Sequence, residues 1–288
     1  MLRGLPCVVA CLLLGLHATA VHALPQQERV PGGIAMLIIS NYTPDTRVTF
    51  EGRRVAVFRH NDSWVALAGI PLQSVPGTAE FTITYANGLS LNTKINIQPK
   101  QFEEQHLTIQ NKRKVNPLQK DLKRISGESL RKTRAKQHWS NTEPQVDFIW
   151  PVEGEISSVF GLRRFFNKQE RRPHTGLDIA AAEGTPILAV ADGAVLEADD
   201  FFFSGNMIFL DHGQGIISYY AHLQRIDVKP GDVVKQGQPI GTVGQTGRVT
   251  GPHLHFSVIA NQTLIDPLLM LPPKQVTTSS DNPPQTSR

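Results

Sequence analysis

The sequence predicts a mostly β chain: an immunoglobulin-like sandwich, a basic helical linker and a second all-β domain. Three observations predict it. From about Leu24 to Pro99, short apolar runs alternate with turn signals. Between Asn116 and His138 the apolar spacing becomes helical, and from Val146 to Leu271 short β-branched and aromatic runs return between glycine-rich turns. At 288 residues the chain is long enough for two domains of roughly 100–150 residues, each with its own core.

Residues 1–23 are expected to be an export signal. Arg3 gives a short basic start, Leu5 to Leu16 an apolar run, and "ATA" and "VHA" small-residue cleavage sites. His17 and His22 interrupt the run, which falls short of the ~18 apolar residues of a membrane span, so no transmembrane segment is expected in the mature chain. Leu12, Leu13 and Leu14 after Cys11 argue against lipid attachment there. Cys7 and Cys11 both fall within the signal. The mature chain is therefore expected to lack disulfides and to bind any metal through nitrogen and oxygen.

Residues 24–115 contain the runs "IAMLIIS", "RVTFEG", "RRVAVFRH", "WVALAGI", "AEFTITYANG" and "LSLNTKINIQ", with turns at Pro76-Gly77 and Asn87-Gly88. That is the spacing of an antiparallel sandwich. It gathers no His, Cys or paired carboxylates, so it is expected to be an accessory module. In the linker, 116–145, Leu118, Leu122, Ile125 and Leu130 form an apolar stripe expected to pack on a neighbour. The formal charge of +4 is unevenly spread: residues 111–137 hold ten Lys/Arg against two Asp/Glu. Such a segment suits an anionic wall or membrane surface. Nucleic acid is not expected, because the excess is confined to this linker and the chain reads as exported. "HWSNTEPQ", 138–145, reads as the hinge into residues 146–271. There the absence of repeated helical periodicity argues against an alternating α/β sheet. Residues 272–288 have the composition of a disordered tail.

The candidate chemistry lies in the second domain. His174 and Asp178 are four apart in "RRPHTGLDIA", His253 and His255 two apart in "GPHLHF", and His222 ends the apolar run of "SYYAHL". In an extended strand, His253 and His255 would share a face. Two side chains do not make a zinc site, which wants about four ligands. Four histidines and an aspartate in one domain are poorly explained by chance.

Those motifs, in order with "ISSVFGLRR", "GTPILAVADGAV", "GNMIFLDHG" and "KPGDVVKQGQPIGTVGQTGRVTGPHLHF", resemble the lysostaphin-type (LytM-like) zinc metalloendopeptidases that cut peptidoglycan cross-links. The resemblance covers about Pro151 to Leu271. It implies zinc held by His174, Asp178 and His255 with a fourth position open, and it implies that His222 and His253 are the family's two non-ligand histidines. These would activate the water and steady the oxyanion, with a protonated His222 sharing the charge. Asn206 in "GNM" is carried as a substrate contact or, equally, as a turn residue after Gly205. Phe165 and Phe166 are expected in a loop bordering the cleft, and Gly247, Gly251 and Pro252 as turn formers. The amino-terminal module resembles that of exported Gram-negative members, which implies the periplasm or cell envelope.

Two other readings remain. Some relatives that have lost zinc ligands regulate wall amidases without catalysis, but here every matching ligand is present. "KPGDVVKQGQPIG" also suits a lipoyl- or biotinyl-type carrier hairpin, yet it lacks a modified Lys at a tight turn. All five chemical groups fall at or after His174, so the reaction is expected to need only the carboxy-terminal domain.

Overall fold

A computed structural model describes residues 25–274. The signal with its two cysteines, and the tail beyond Lys274, lie outside the described residues. The amino-terminal part comprises β1 (Ile34–Ile39), β2 (Arg47–Phe50), β3 (Arg53–Arg54), β4 (Ala56–His60), β5 (Ser63–Gly69), β6 (Gly77–Thr84) and β7 (Ser90–Ile97). They form two antiparallel sheets, β1-β5-β4 and β3-β2-β6-β7. Alternation along β6 sends Ala79, Phe81 and Ile83 inward, where they meet Ala35, Val57, Ala66 and Ala68 of the other sheet. The result is the two-sheet sandwich that the alternating runs predict.

The linker begins earlier than the expected residue 116 and contributes β8 (Glu104–Leu107), α1 (Lys112–Val115) and α2 (Gln119–Gln137). The carboxy-terminal part follows with β9 (Glu155–Ser158), β10 (Arg163–Phe166), β11 (Gln169–Glu170), β12 (Leu177–Ala180), β13 (Pro186–Leu188), β14 (Gly193–Phe201), β15 (Gly205–Asp211), β16 (Ile217–Ile226), β17 (Val233–Val234), β18 (Pro239–Val243), β19 (Leu254–Ala260) and β20 (Thr263–Ile265). Its main sheet runs β17-β14-β15-β16-β19-β12-β9, antiparallel throughout.

Three findings differ from the sequence expectation. The sandwich and the carboxy-terminal sheet do not close separate cores. The second face of β1-β5-β4 is also apolar, and Ile34, Ala56, Phe58, Val65 and Leu67 are buried in one cluster with Leu177, Ile179, Tyr220, Phe256 and Ile265. Residues 104–107, grouped by sequence with the sandwich, instead run parallel to β10. A linker strand thus completes the small separate sheet β11-β10-β8.

The stripe on α2 is the other correction. Leu118, Leu122 and Leu130 are 50%, 45% and 62% exposed, and the residues turned inward are Asp121, Glu128 and Ala135. Polar partners outweigh the apolar spacing. Arg113 pairs with Asp121, and Glu128 accepts from the Phe202 amide at 2.8 Å while holding Arg124. Arg131 reaches Glu197 and Asp199 on β14 at 2.7 and 2.8 Å. Ala135 is small enough to sit in a cluster with Phe201, Phe209 and Ile217.

At the shared core, β19 and β20 join through Asn261 and Gln262, whose φ values of +40° and +65° suit a tight two-residue hairpin. The buried Asn261 side chain accepts from the Gly69 amide at 2.5 Å and donates to its carbonyl at 3.1 Å. Truncating it leaves two interface backbone groups unpaired, each costing about 1–3 kcal/mol. Asn261→Ala is therefore expected to lower the unfolding free energy by about 2 kcal/mol in urea titration, while the exposed Gln262→Ala changes it little.

Candidate metal centre

Strand register builds the site. Asp178 on β12 stands directly opposite His255 on β19, and His255 opposite Ala221 on β16. Partners across an antiparallel ladder share a face, so carboxylate and imidazole converge. His174 is delivered by the turn before β12, pinned by its amide to the Leu162 carbonyl at 2.8 Å. Gly176, between His174 and Asp178, permits the approach: a Cβ there would lie 2.4 Å from the Phe256 carbonyl oxygen and 2.8 Å from the His255 ring.

Three donor atoms meet. His174 Nε2 lies 3.0 Å from Asp178 Oδ1, His255 Nδ1 lies 2.8 Å from the same oxygen, and the two nitrogens are 3.1 Å apart. The other side of each ring fixes the tautomer. His174 Nδ1 faces the Val159 carbonyl at 2.7 Å and donates to it. His255 Nε2 lies 3.0 Å from Ser257 Oγ, whose own hydrogen goes to the Thr175 carbonyl, so this nitrogen donates to the serine oxygen. With those protons outward, the inner nitrogen of each ring faces a carboxylate oxygen with its lone pair. A proton or a metal cation must stand among the three.

Burial keeps the His255 imidazole available as a ligand. It pushes His255 down to about 4, although Asp178 acts in the opposite direction. Burial alone would raise the Asp178 carboxyl, but in the metal-free site a proton shared with His174 and His255 holds it well below the usual carboxylate range. The two nitrogens and one oxygen fit zinc: tetrahedral ligands at 2.0–2.1 Å stand roughly 3.3 Å apart, a few tenths wider than the observed triangle.

His222 and His253 flank this triad, with ring centroids 5.0 Å apart. His253 Nδ1 donates to the Gly251 carbonyl at 2.9 Å and His222 Nδ1 to the Thr246 carbonyl at 2.8 Å, leaving each Nε2 as an acceptor. His253 Nε2 is 3.8 Å from Asp178 Oδ1. His222 has φ +69°, beside shifts in register between β16 and both β15 and β18. That irregularity re-aims a side chain that a regular strand would point elsewhere. Burial, then the nearby His253 and His255, pushes His222 well below its ordinary value, so in the free protein it is neutral rather than protonated.

Asn206 donates through Nδ2 to the Gln224 carbonyl at 3.1 Å, fastening β15 to β16 next to His222. Phe165 and Phe166 lie on β10, and Arg248 stacks on Phe166 and Phe203 at 4.5 and 4.8 Å. Sequence reasoning passed over Arg164, whose Nη2 donates to Asp178 Oδ2 at 2.6 Å. The doubled arginine of "GLRR" was its only signal.

A donor triad of two histidines and an aspartate, flanked by two further imidazoles on an antiparallel sheet, is a candidate metal centre of the metallopeptidase kind. Comparison narrows the class. Residues 172–267 match Peptidase family M23 and residues 27–100 match the Peptidase family M23 N-terminal domain. A crystal structure from Pseudomonas aeruginosa, described as a peptidase M23, is 36% identical over 85% of this chain and 95% of that one, with a TM-score of 0.72. The chain belongs to peptidase family M23. Among curated proteins, Peptidoglycan DD-endopeptidase ShyC of Vibrio cholerae is 47% identical over 37% of this chain and 25% of its own length. DD-carboxypeptidase/endopeptidase Mpg of Neisseria meningitidis is 39% identical over 45% of this chain and 30% of its own length. The chain thus spans about a quarter to a third of these curated relatives.

Burial holds His212 at about 4, as it does His255. Both bind protons more readily when unfolded, near 6.5, than when folded. The unfolded state therefore gains protons as pH falls. In urea unfolding of the metal-free protein the contribution of these two histidines is expected to be complete by about pH 7 and to fall between about 6.5 and 4; His212→Asn should flatten that decline.

Proposed function

We propose that the chain is an exported zinc endopeptidase that hydrolyses peptide cross-links of bacterial peptidoglycan. The observation that carries this reading is the triad of lone-pair donors with two acceptor imidazoles beside it. Zinc bound there supplies Lewis acidity, polarising a carbonyl and making water a stronger nucleophile at neutral pH. His174, Asp178 and His255 hold it. His253, with Nε2 free and Nδ1 anchored, takes the proton of the attacking water. His222 starts neutral, takes that proton on from His253 as charge develops and passes it to the leaving amine, so that both rings end neutral. Asn206 keeps the His222 bulge in place and borders the substrate path. No Ser or Cys nucleophile is required.

Export rests on the signal at 1–23, and a periplasmic or envelope location on that signal together with the substrate. No helix among the described residues is long and apolar enough to cross a membrane. The exposed Lys112, Lys120, Lys123 and Arg134 of the linker are available to an anionic wall or membrane surface. Binding to sacculi in pull-down assays is expected to weaken sharply from 0.1 to 1 M salt, as the Debye length falls from about 10 to 3 Å.

Incubated with dimeric cross-linked muropeptides, the zinc-loaded protein is expected to release monomers detectable by mass spectrometry; intact dimers would overturn the assignment. A non-catalytic regulator of wall amidases would leave them intact. His222→Ala and His253→Ala are expected to retain about one zinc per chain and lose about 10²–10⁴-fold in turnover. Near-normal turnover in zinc-loaded variants would remove these roles.

A further inference from the structure

We propose that Gln105, on the linker strand β8, is a positioning residue for the metal centre, orienting Asp178 through Arg164 and His174 through Ser158. The inference rests on the reading of His174, Asp178 and His255 as the zinc ligands. It extends the site to a residue outside the segment where the sequence concentrates the chemistry.

Gln105 stands beside Arg164 in the parallel β8–β10 ladder. Its Oε1 accepts from Arg164 Nε at 2.9 Å and from Ser158 Oγ at 3.2 Å. The first bond fixes the plane of the guanidinium. With Nε held, Arg164 Nη2 donates to Asp178 Oδ2 at 2.6 Å and to Ser158 Oγ at 3.0 Å. Oδ2 is thereby engaged, and Oδ1 is the oxygen turned toward both histidines. The Arg164 side chain is only 15% exposed, so water does not readily replace a lost partner.

The second bond orients a hydroxyl. Ser158 lies opposite Asp178 on β9, and its Oγ is 3.2 Å from His174 Nδ1. A hydroxyl has one hydrogen, and here Gln105 takes it. Ser158 can then only accept from His174, so Nδ1 keeps its proton, shared with the Val159 carbonyl, and Nε2 keeps the lone pair that binds metal. Without Gln105 the Ser158 hydroxyl loses that acceptor and no longer holds its oxygen toward Nδ1, which loosens the grip that Ser158 and the Val159 carbonyl share on the ring. One carbonyl oxygen from the linker therefore acts on two ligands at once. A fragment starting near Gln145 would lack it.

The test measures zinc affinity of the full chain by competition with a chromophoric chelator after the protein is stripped of metal. Gln105→Met keeps the side-chain length and removes the acceptor. It is expected to weaken zinc binding about 10–100-fold, the usual range for groups that orient a metal ligand. Gln105→Glu keeps the acceptor and should stay near the wild type. Glu104→Gln, on the same strand but bonded to the exposed Arg163, should also be unchanged. Arg164→Lys should weaken binding, and adding Gln105→Met to it should cost less than Gln105→Met costs alone. If Gln105→Met does not fold, Gln105→Asn, too short to span both donors, carries the same expectation. Wild-type affinity in the acceptor-less variant, equal weakening by Glu104→Gln, or strictly additive losses would each overturn the proposal. A wild-type chain that takes up no zinc would remove the metal reading itself, and this inference with it.

Discussion

The carboxylate oxygen of Asp178, faced by two imidazole lone pairs, is the constraint around which the structure is arranged. Three electron-rich atoms within 2.8–3.1 Å of one another repel unless a cation stands between them. Such a cluster persists only where its surroundings over-determine it. Here that support comes from strand pairing, from the Val159 and Ser257 acceptors that hold the ring protons outward, with the Thr175 carbonyl taking the Ser257 hydrogen, and from Arg164 on the second carboxylate oxygen.

That support crosses the boundaries suggested by the sequence. β8 supplies Gln105, and α2 covers part of the sheet through Ala135 in the cluster that contains Tyr219. Tyr219 in turn places its hydroxyl 3.1 Å from His255 Nε2. On the other side, the amino-terminal sheet β1-β5-β4 is buried on both faces and shares its core with Leu177, Ile179 and Phe256, the neighbours of Asp178 and His255 in sequence. The accessory module is thus packed against the layer directly beneath the ligands. Its contribution to the site is rigidity rather than chemistry.

The neutrality of His222 has a comparable origin. A sequence motif identifies a histidine but not its dielectric surroundings. Burial and the neighbouring imidazoles disfavour its charged form, so the ring begins as a proton acceptor. The left-handed backbone at this residue is what brings it beside His253.

The sequence by itself determined the β character, the sandwich, and the five groups His174, Asp178, His222, His253 and His255. Period-two alternation and fixed local spacings are properties of a few consecutive residues, and the ordered motifs add their resemblance. Tertiary structure decided what depends on distant partners. The α2 stripe was misread because Asp121 and Glu128 find Arg113 and the Phe202 amide, contacts that outweigh helical periodicity. The shared core depends on which face of β5 meets the carboxy-terminal sheet. The role of Gln105 exists only because β8 lies parallel to β10, 59 residues away in sequence, where a side-chain amide can reach both an arginine and a serine. A hydrogen-bond chain of that kind leaves no periodic or compositional trace, since each member is an ordinary polar residue until the fold brings them together.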